Sequence, residues 1–212
     1  MRLRKAKIVA ERLAGLMSPF CLRVEIAGSV RRSCPEVKDV ELVAVPRWAE
    51  RPGPAQSLFA EDAGRVNLLH EWAVNEAAGA GVRWIKPGTP EVVDWAPKRE
   101  GKYWRALVED RVKLDLFLAL PENYGMILAI RTGSAEFSQA LMTYAKHRTP
   151  YHVEGGYLRD REGKALETPE ERDVFKALKV DFVEPRERVG QHMVRVAGRP
   201  QFPRRAAQGT RS

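Results

Sequence analysis

Two short apolar runs in this chain each carry acid where a buried strand ordinarily carries none. In DVELVAV, residues 39–45, Val40, Leu42 and Ala44 alternate with Asp39, Glu41, Val43 and Val45. Side chains alternate across a strand, so both acids fall on one face, at one end of a largely apolar strand. In VKLDLFLAL, residues 112–120, Val112, Leu114, Leu116 and Leu118 fill one register and Asp115 stands in the other. A charge inside an apolar strand is costly unless something neutralises it. A divalent cation is the usual answer, and an all-oxygen donor set favours Mg²⁺ or Mn²⁺ over zinc. Three carboxylates can hold two such ions at the separation used for in-line phosphoryl transfer.

A second element lies just upstream. Gly28-Ser29-Val30-Arg31-Arg32 combines a glycine, a hydroxyl and two guanidinium groups. Glycine lets backbone approach a ligand closely, and turn amides with a serine hydroxyl can hold phosphate oxygens. Arg31 and Arg32 add cationic donors for a phosphate. Ser29 precedes Asp39 by ten residues, so a loop returns the chain from a phosphate site to a metal site. Taken alone, Gly-Ser is uninformative and Asp-x-Glu is usually a solvated strand face. Gly-Ser-x-Arg-Arg, the ten-residue return, Asp-x-Glu and the distal Asp115 together point to nucleotidyl transfer.

Composition sets the class. The chain has 212 residues and a net charge of +8, enough for one large domain or two small ones. No apolar run approaches the roughly 20 residues that span a bilayer, so no membrane partner is expected. Glu11 and Arg12 interrupt the N-terminal apolar stretch, which argues against export. Cys21 and Cys34 cannot make a zinc site, and His70, His147, His152 and His192 show no ligand spacing. A reducing compartment is expected. Positive charge gathers at the ends. Residues 1–10 hold Arg2, Arg4, Lys5 and Lys7 without an acid, and residues 186–212 hold seven arginines and one glutamate. Basic ends on a nearly neutral body suit a polyanion, or serve simply as solubilising tails.

The pattern predicts a helix over 4–18 with Ile8, Val9, Leu13, Leu16 and Met17 on one stripe, and strands at 22–27 and 39–45. A loop follows at 51–54 and a helix over 62–78 carrying Val66, Leu69, Trp72 and Ala73. Val82 and Trp84 mark a short strand and Pro87-Gly88 a turn. Strands at 103–109 and 111–119 form a hairpin turning at Glu109-Asp110. Pro121 opens a helix over about 122–131, and a second runs over 134–146. Short strands YHVE and GYLRD meet at Gly155-Gly156. Thr168, Pro169 and Glu171 read as cap, first-turn proline and capping-box acid for a helix over 169–178. The order gives an α+β chain in two subdomains with a boundary near 120. Trp72 and Trp84 are expected in the core, and Tyr103 and Trp104 on an exposed strand. Residues 190–212 read as a basic, disordered tail.

AGSVRRSCPEVKDVELVAVP resembles the signature of the nucleotidyltransferase superfamily, and most closely that of the family X DNA polymerases of the DNA polymerase beta type. VKLDLFLALPENYG resembles their strand bearing the third catalytic aspartate. RTGSAEFSQAL resembles the segment joining palm to thumb, and GYLRDREGKALETPEERDVFKALKVDFVEPRER the end of the thumb. The likeness runs over roughly 20–188 and is to short, phage-type or bacterial members. It implies a palm with a mixed sheet over 1–120, a small α+β thumb over 121–189, and a cytoplasmic setting. Only 27 residues precede Gly28, so the family's N-terminal helical domain and its lyase chemistry are not expected here.

The same resemblance implies residue roles. Asp39 and Glu41 would bind both metals or the nucleotide metal, and Asp115 the catalytic metal and the primer 3′-hydroxyl. Gly28, Ser29 and Arg32 would hold the β- and γ-phosphates, with Arg31 in support. Lys113 stands where the family often has an arginine. Thr132, Gly133 and Ser134 would lie under the sugar and base of the incoming nucleotide. Two ions, Mg²⁺ or Mn²⁺, nucleoside triphosphates and a DNA primer-template are the implied cofactors and partners. Glu41 replaces a more common aspartate, and Ile130-Arg131 replace an aromatic pair that helps sense the sugar. The alternatives are an untemplated terminal transferase, a transferase acting on RNA or another acceptor, and a binding module without catalysis. A binding module would show an incomplete acidic triad.

Overall fold

A computed structural model describes residues 1–50, 64–86 and 88–190. The loop expected at 51–54, the proline of the turn at 87–88 and the basic tail past residue 190 lie outside the described residues.

Five strands form one mixed sheet: β1 (Cys21–Ile26), β2 (Asp39–Pro46), β5 (Val82–Trp84), β6 (Tyr103–Val108) and β7 (Val112–Leu118). The spatial order is β1-β2-β7-β6-β5. Every pairing is antiparallel except β2 with β7, which run parallel. The hairpin between β6 and β7 turns where expected, with Glu109 and Asp110 both at positive φ. A second pair, β3 (Trp48–Glu50) and β4 (Arg65–Asn67), stands apart from the sheet.

One face of the sheet is sealed by helices. Val40, Leu42, Ala44, Leu114, Leu116, Trp104, Ala106 and Val108 pack with α1 (Leu3–Met17) and α3 (Leu68–Asn75). Trp72, Trp84 and Trp104 meet edge to face at 6.5 and 5.7 Å in this core, the geometry that aromatic quadrupoles favour. The indole N–H groups of Trp84 and Trp104 donate to the carbonyls of Ala73 and Lys98. Trp104 is therefore core, contrary to the exposed strand expected for it. The stripe that α1 buries is Ala6, Val9, Ala10, Leu13 and Met17, while Ile8 is 60% exposed. The small alanines let the helix lie close to the sheet and turn that stripe away from Ile8.

The helix expected over 62–78 is shorter. Residues 65–67 form β4, and α3 starts at Leu68 because the Asn67 side chain caps it, accepting from the His70 amide.

The C-terminal part is a small helical unit. α4 (Tyr124–Thr132), α5 (Ala135–Arg148) and α6 (Glu171–Leu178) enclose Met126, Ala129, Phe137, Leu141, Val174, Phe175 and Leu178. A three-stranded sheet of β8 (His152–Glu154), β9 (Tyr157–Arg159) and β10 (Ala165–Leu166) closes one side. Leu158 of β9 belongs to this core. The start of α6 differs from expectation. Glu170 caps the helix in a box with Asp173, whereas Thr168 is buried and extended, pairing by backbone with Glu122 and Gly125. Gly125 permits that approach, since a Cβ there would fall 2.2 Å from the Glu170 backbone. The cleft side of the main sheet meets this unit through Val43, Val45, Phe117, Ala119, Tyr124 and Leu128. The result is the α+β class expected, with the acids on the side of the sheet that the large helices leave open.

Candidate active site

Parallel pairing of β2 with β7 sets Glu41 opposite Asp115 and Asp39 opposite Lys113. Paired residues of neighbouring strands point to the same side, so all three acids share one face. Their proximity is visible in Glu41. Burial pushes its carboxyl up to about 7, and the charges of Asp39 and Asp115 push the same way against Arg32 and Arg131. A half-buried acid crowded by two more is what a bound cation would relieve.

Gly28 presses directly on this group. Its φ is +60°, and a Cβ would fall 1.6 Å from Glu41 Oε2. Glycine here answers two demands at once, a left-handed backbone and room for a carboxylate. The Ala27 amide donates to the Glu41 carbonyl at 2.8 Å and fixes the turn against β2. The next residues form a single helical turn, α2 (Gly28–Arg31), at whose start Ser29 lies. The first amides of such a turn have no partner within it.

Arg31 and Arg32 part company. Arg31 binds both oxygens of Glu171, at 2.8 and 2.7 Å, and donates to Thr132 Oγ1 at 2.8 Å. It is committed to structure rather than to a phosphate, because a buried Glu171 demands it. Burial raises the Glu171 carboxyl, but hydrogen bonds from Arg31 and Arg188 outweigh that and hold it below the usual carboxylate range. Arg188 is fully buried, donates to Glu171, and lies over the rings of Phe175 and Phe182. Arg32 instead donates to the Thr132 carbonyl at 2.6 Å and leaves a buried Nε without a partner. It stays near Glu41 and is the arginine of the pair placed to meet an anion.

Thr132, Gly133 and Ser134 form the turn between α4 and α5 and close against the Arg31–Arg32 segment. Their side chains are already engaged. Thr132 accepts from Arg31, and Ser134 caps α5 by accepting from the Phe137 amide at 3.2 Å. Lys113 is exposed, across from Asp39.

Tyr103 and Arg105 on β6 both engage Asp115, a pairing that the sequence pattern does not anticipate. Asp115 Oδ1 accepts from the Tyr103 hydroxyl at 2.6 Å and from Arg105 Nε at 2.8 Å. Arg105 Nη2 reaches Oδ2 at 3.4 Å. Tyr103 stacks on Phe117, and Arg131 lies over the Phe117 ring at 3.9 Å. The three-acid, all-oxygen donor set fits a hard divalent cation. As they stand, however, no three His, Cys, Asp or Glu side chains among the described residues come together to enclose an ion.

Residues 127–189 match the DNA polymerase beta thumb family. The chain is also similar to DNA nucleotidylexotransferase of Xenopus laevis, 36% identical over 90 residues. That segment is 42% of this chain and 17% of the relative. The Homo sapiens enzyme of the same name is 31% identical over 96 residues, 45% of this chain and 18% of the relative. The chain thus spans less than a fifth of the length of these curated relatives.

Proposed function

We propose that this chain is a nucleotidyltransferase of the family X DNA polymerase type, extending the 3′-hydroxyl of a DNA strand. The observation that carries this reading is the register of Glu41 against Asp115, which sets three acids on one face of the sheet with Glu41 against the Gly28–Arg32 turn. The hydroxyl oxygen attacks the α-phosphorus of a nucleoside triphosphate, the bond to the bridging oxygen breaks, and pyrophosphate leaves. The hydroxyl proton passes to solvent.

Asp39, Glu41 and Asp115 would hold two Mg²⁺ or Mn²⁺ ions, which supply Lewis acidity to the attacking and leaving oxygens. Glu41 is held under Gly28, so its direction is fixed before substrate arrives. Arg32, Ser29 and the first amides of α2 offset charge on the departing pyrophosphate. Thr132 and Gly133 offer backbone on the nucleotide side. We keep the division at about residue 120, with a palm before it and the thumb after it, and place the protein in the cytoplasm.

A second reading is favoured by the relatives, whose name describes addition at strand ends. On it, the strand is extended without a template. One assay separates the two. A labelled primer is offered each nucleotide singly, alone and on a template, in Mg²⁺ and in Mn²⁺. Incorporation of the complementary nucleotide alone supports templated synthesis, and addition of any nucleotide to the lone primer supports the second reading. Asp115→Ala should abolish both, and no addition by the native chain would overturn both.

A further inference from the structure

Asp115 is not free to act as a ligand where it stands. Tyr103 and Arg105 together take both of its oxygens. The chain answers this buried charge with a cation of its own. A guanidinium within hydrogen-bonding distance of both oxygens and a divalent cation on the same carboxylate repel each other and compete for the same lone pairs. One must leave before the other settles.

Arg105 has both the freedom and a destination. Its side chain is 44% exposed, against 12% for Asp115. It lies directly across the β6–β7 ladder from Asp115, on the open face of the sheet that also carries exposed Lys113. A planar guanidinium binds a phosphodiester in bidentate fashion, at least as well as a carboxylate. Resting on the reading that this site extends a polynucleotide, we propose that Arg105 is the exchange partner of Asp115. It neutralises the carboxylate and occupies its oxygens until a strand arrives, then moves to a phosphate of the acceptor strand and releases Asp115 to the divalent cation. Tyr103 keeps its bond to Oδ1 throughout and holds the direction of the carboxylate. Arg105 is thus a positioning residue, and it couples acceptor binding to ion binding. Such coupling is reciprocal, so strand and ion tighten each other.

The test reads ion binding rather than turnover. The full chain, freed of metal, is titrated with Mn²⁺, and free Mn²⁺ is followed by its paramagnetic resonance signal. The titration is repeated with a single-stranded oligonucleotide that lacks a 3′-hydroxyl. Asp115→Ala identifies the binding step that depends on Asp115. In the native chain the oligonucleotide should tighten that step by about fivefold or more. Arg105→Ala and Arg105→Gln should bind Mn²⁺ more tightly without oligonucleotide and gain nothing when it is added. Arg83→Ala, whose partner is Asp110 at the far end of the hairpin, should behave as the native chain. Thermal melts in saturating Mn²⁺ confirm that each variant is folded. The exchange is overturned if the native chain shows no gain with oligonucleotide, or if both Arg105 variants keep native affinity and native coupling. Primer extension by the native chain is scored separately, so intact extension without coupling defeats the exchange alone.

Discussion

Gly28 lies over Glu41 so closely that the smallest side chain would displace the carboxylate, its Cβ falling 1.6 Å from Oε2. The Gly28–Arg32 turn and the acidic strand are therefore a single object. Gly28→Ala should lose incorporation by about 100-fold or more, since a shift of about 1 Å at a reacting centre has that effect. The left-handed backbone adds a stability cost of about 1–2 kcal/mol. Steady-state primer extension and a thermal melt read the two effects separately.

Glu41 ties stability to pH. Its carboxyl stands near 7 in the folded chain, above the ordinary 4.5, chiefly through burial. Between those values the folded state holds a proton that the unfolded state has released, so metal-free stability should fall as pH rises through that window. The full effect is on the order of 3 kcal/mol. Glu41→Gln should remove this slope and raise the metal-free melting temperature at pH 7.5 while abolishing activity. A native melting temperature that is flat from pH 5 to 7.5 would refute the account.

Added Mn²⁺ should reverse that penalty. Binding to the folded state alone stabilises by mass action, about 2.7 kcal/mol at a hundredfold excess over Kd. The melting temperature should rise with Mn²⁺ in the native chain and much less in Asp39→Asn, as calorimetry would show.

Glu171 behaves in the opposite sense to Glu41. Its two arginines hold it below the ordinary value, so its contribution is present above pH 4.5 and is lost as pH falls further. Arg188→Ala leaves a buried carboxylate short of one partner and should cost about 3–5 kcal/mol. Because Arg31 and Thr132 share that network, the KM for nucleotide should rise in whatever fraction stays folded. Denaturant melts and nucleotide titrations check the two parts.

Removal of residues 191–212, with their five arginines, should weaken DNA binding and flatten its salt dependence. The logarithmic slope should shrink by about 0.7–0.9 for each phosphate that the tail had neutralised. Fluorescence anisotropy at several salt concentrations measures both, and unchanged binding would show that the tail is only a solubiliser.

The acids were legible because charge inside apolar alternation is rare enough to stand out, and Asp39, Glu41 and Asp115 all fall on the face that periodicity assigns. Gly28 was legible as a site of close approach. Arg31 was not separable from Arg32, since adjacent residues of one type differ only in what the fold brings to each. Here that partner is Glu171, which arrives from a helix start where the pattern suggests only a cap. Tyr103 and Arg105 are hidden by a different limit. The hairpin is evident from the sequence, yet its exact centre decides which residues face one another. Pairing outward from Val108 and Val112 sets Arg105 opposite Asp115, a register that the turn already contains. Trp104 escapes the sequence pattern because an alternating strand does not reveal which face has a helix over it.

The parallel pairing of β2 with β7 has a consequence for how the protein comes into being. Glu41 and Asp115 belong to distant parts of the chain and meet only when the sheet closes, so the acidic centre rests on long-range contacts that form slowly. A nascent chain that stops short of residue 112 contains the Gly28–Arg32 turn and two of the acids but lacks the third.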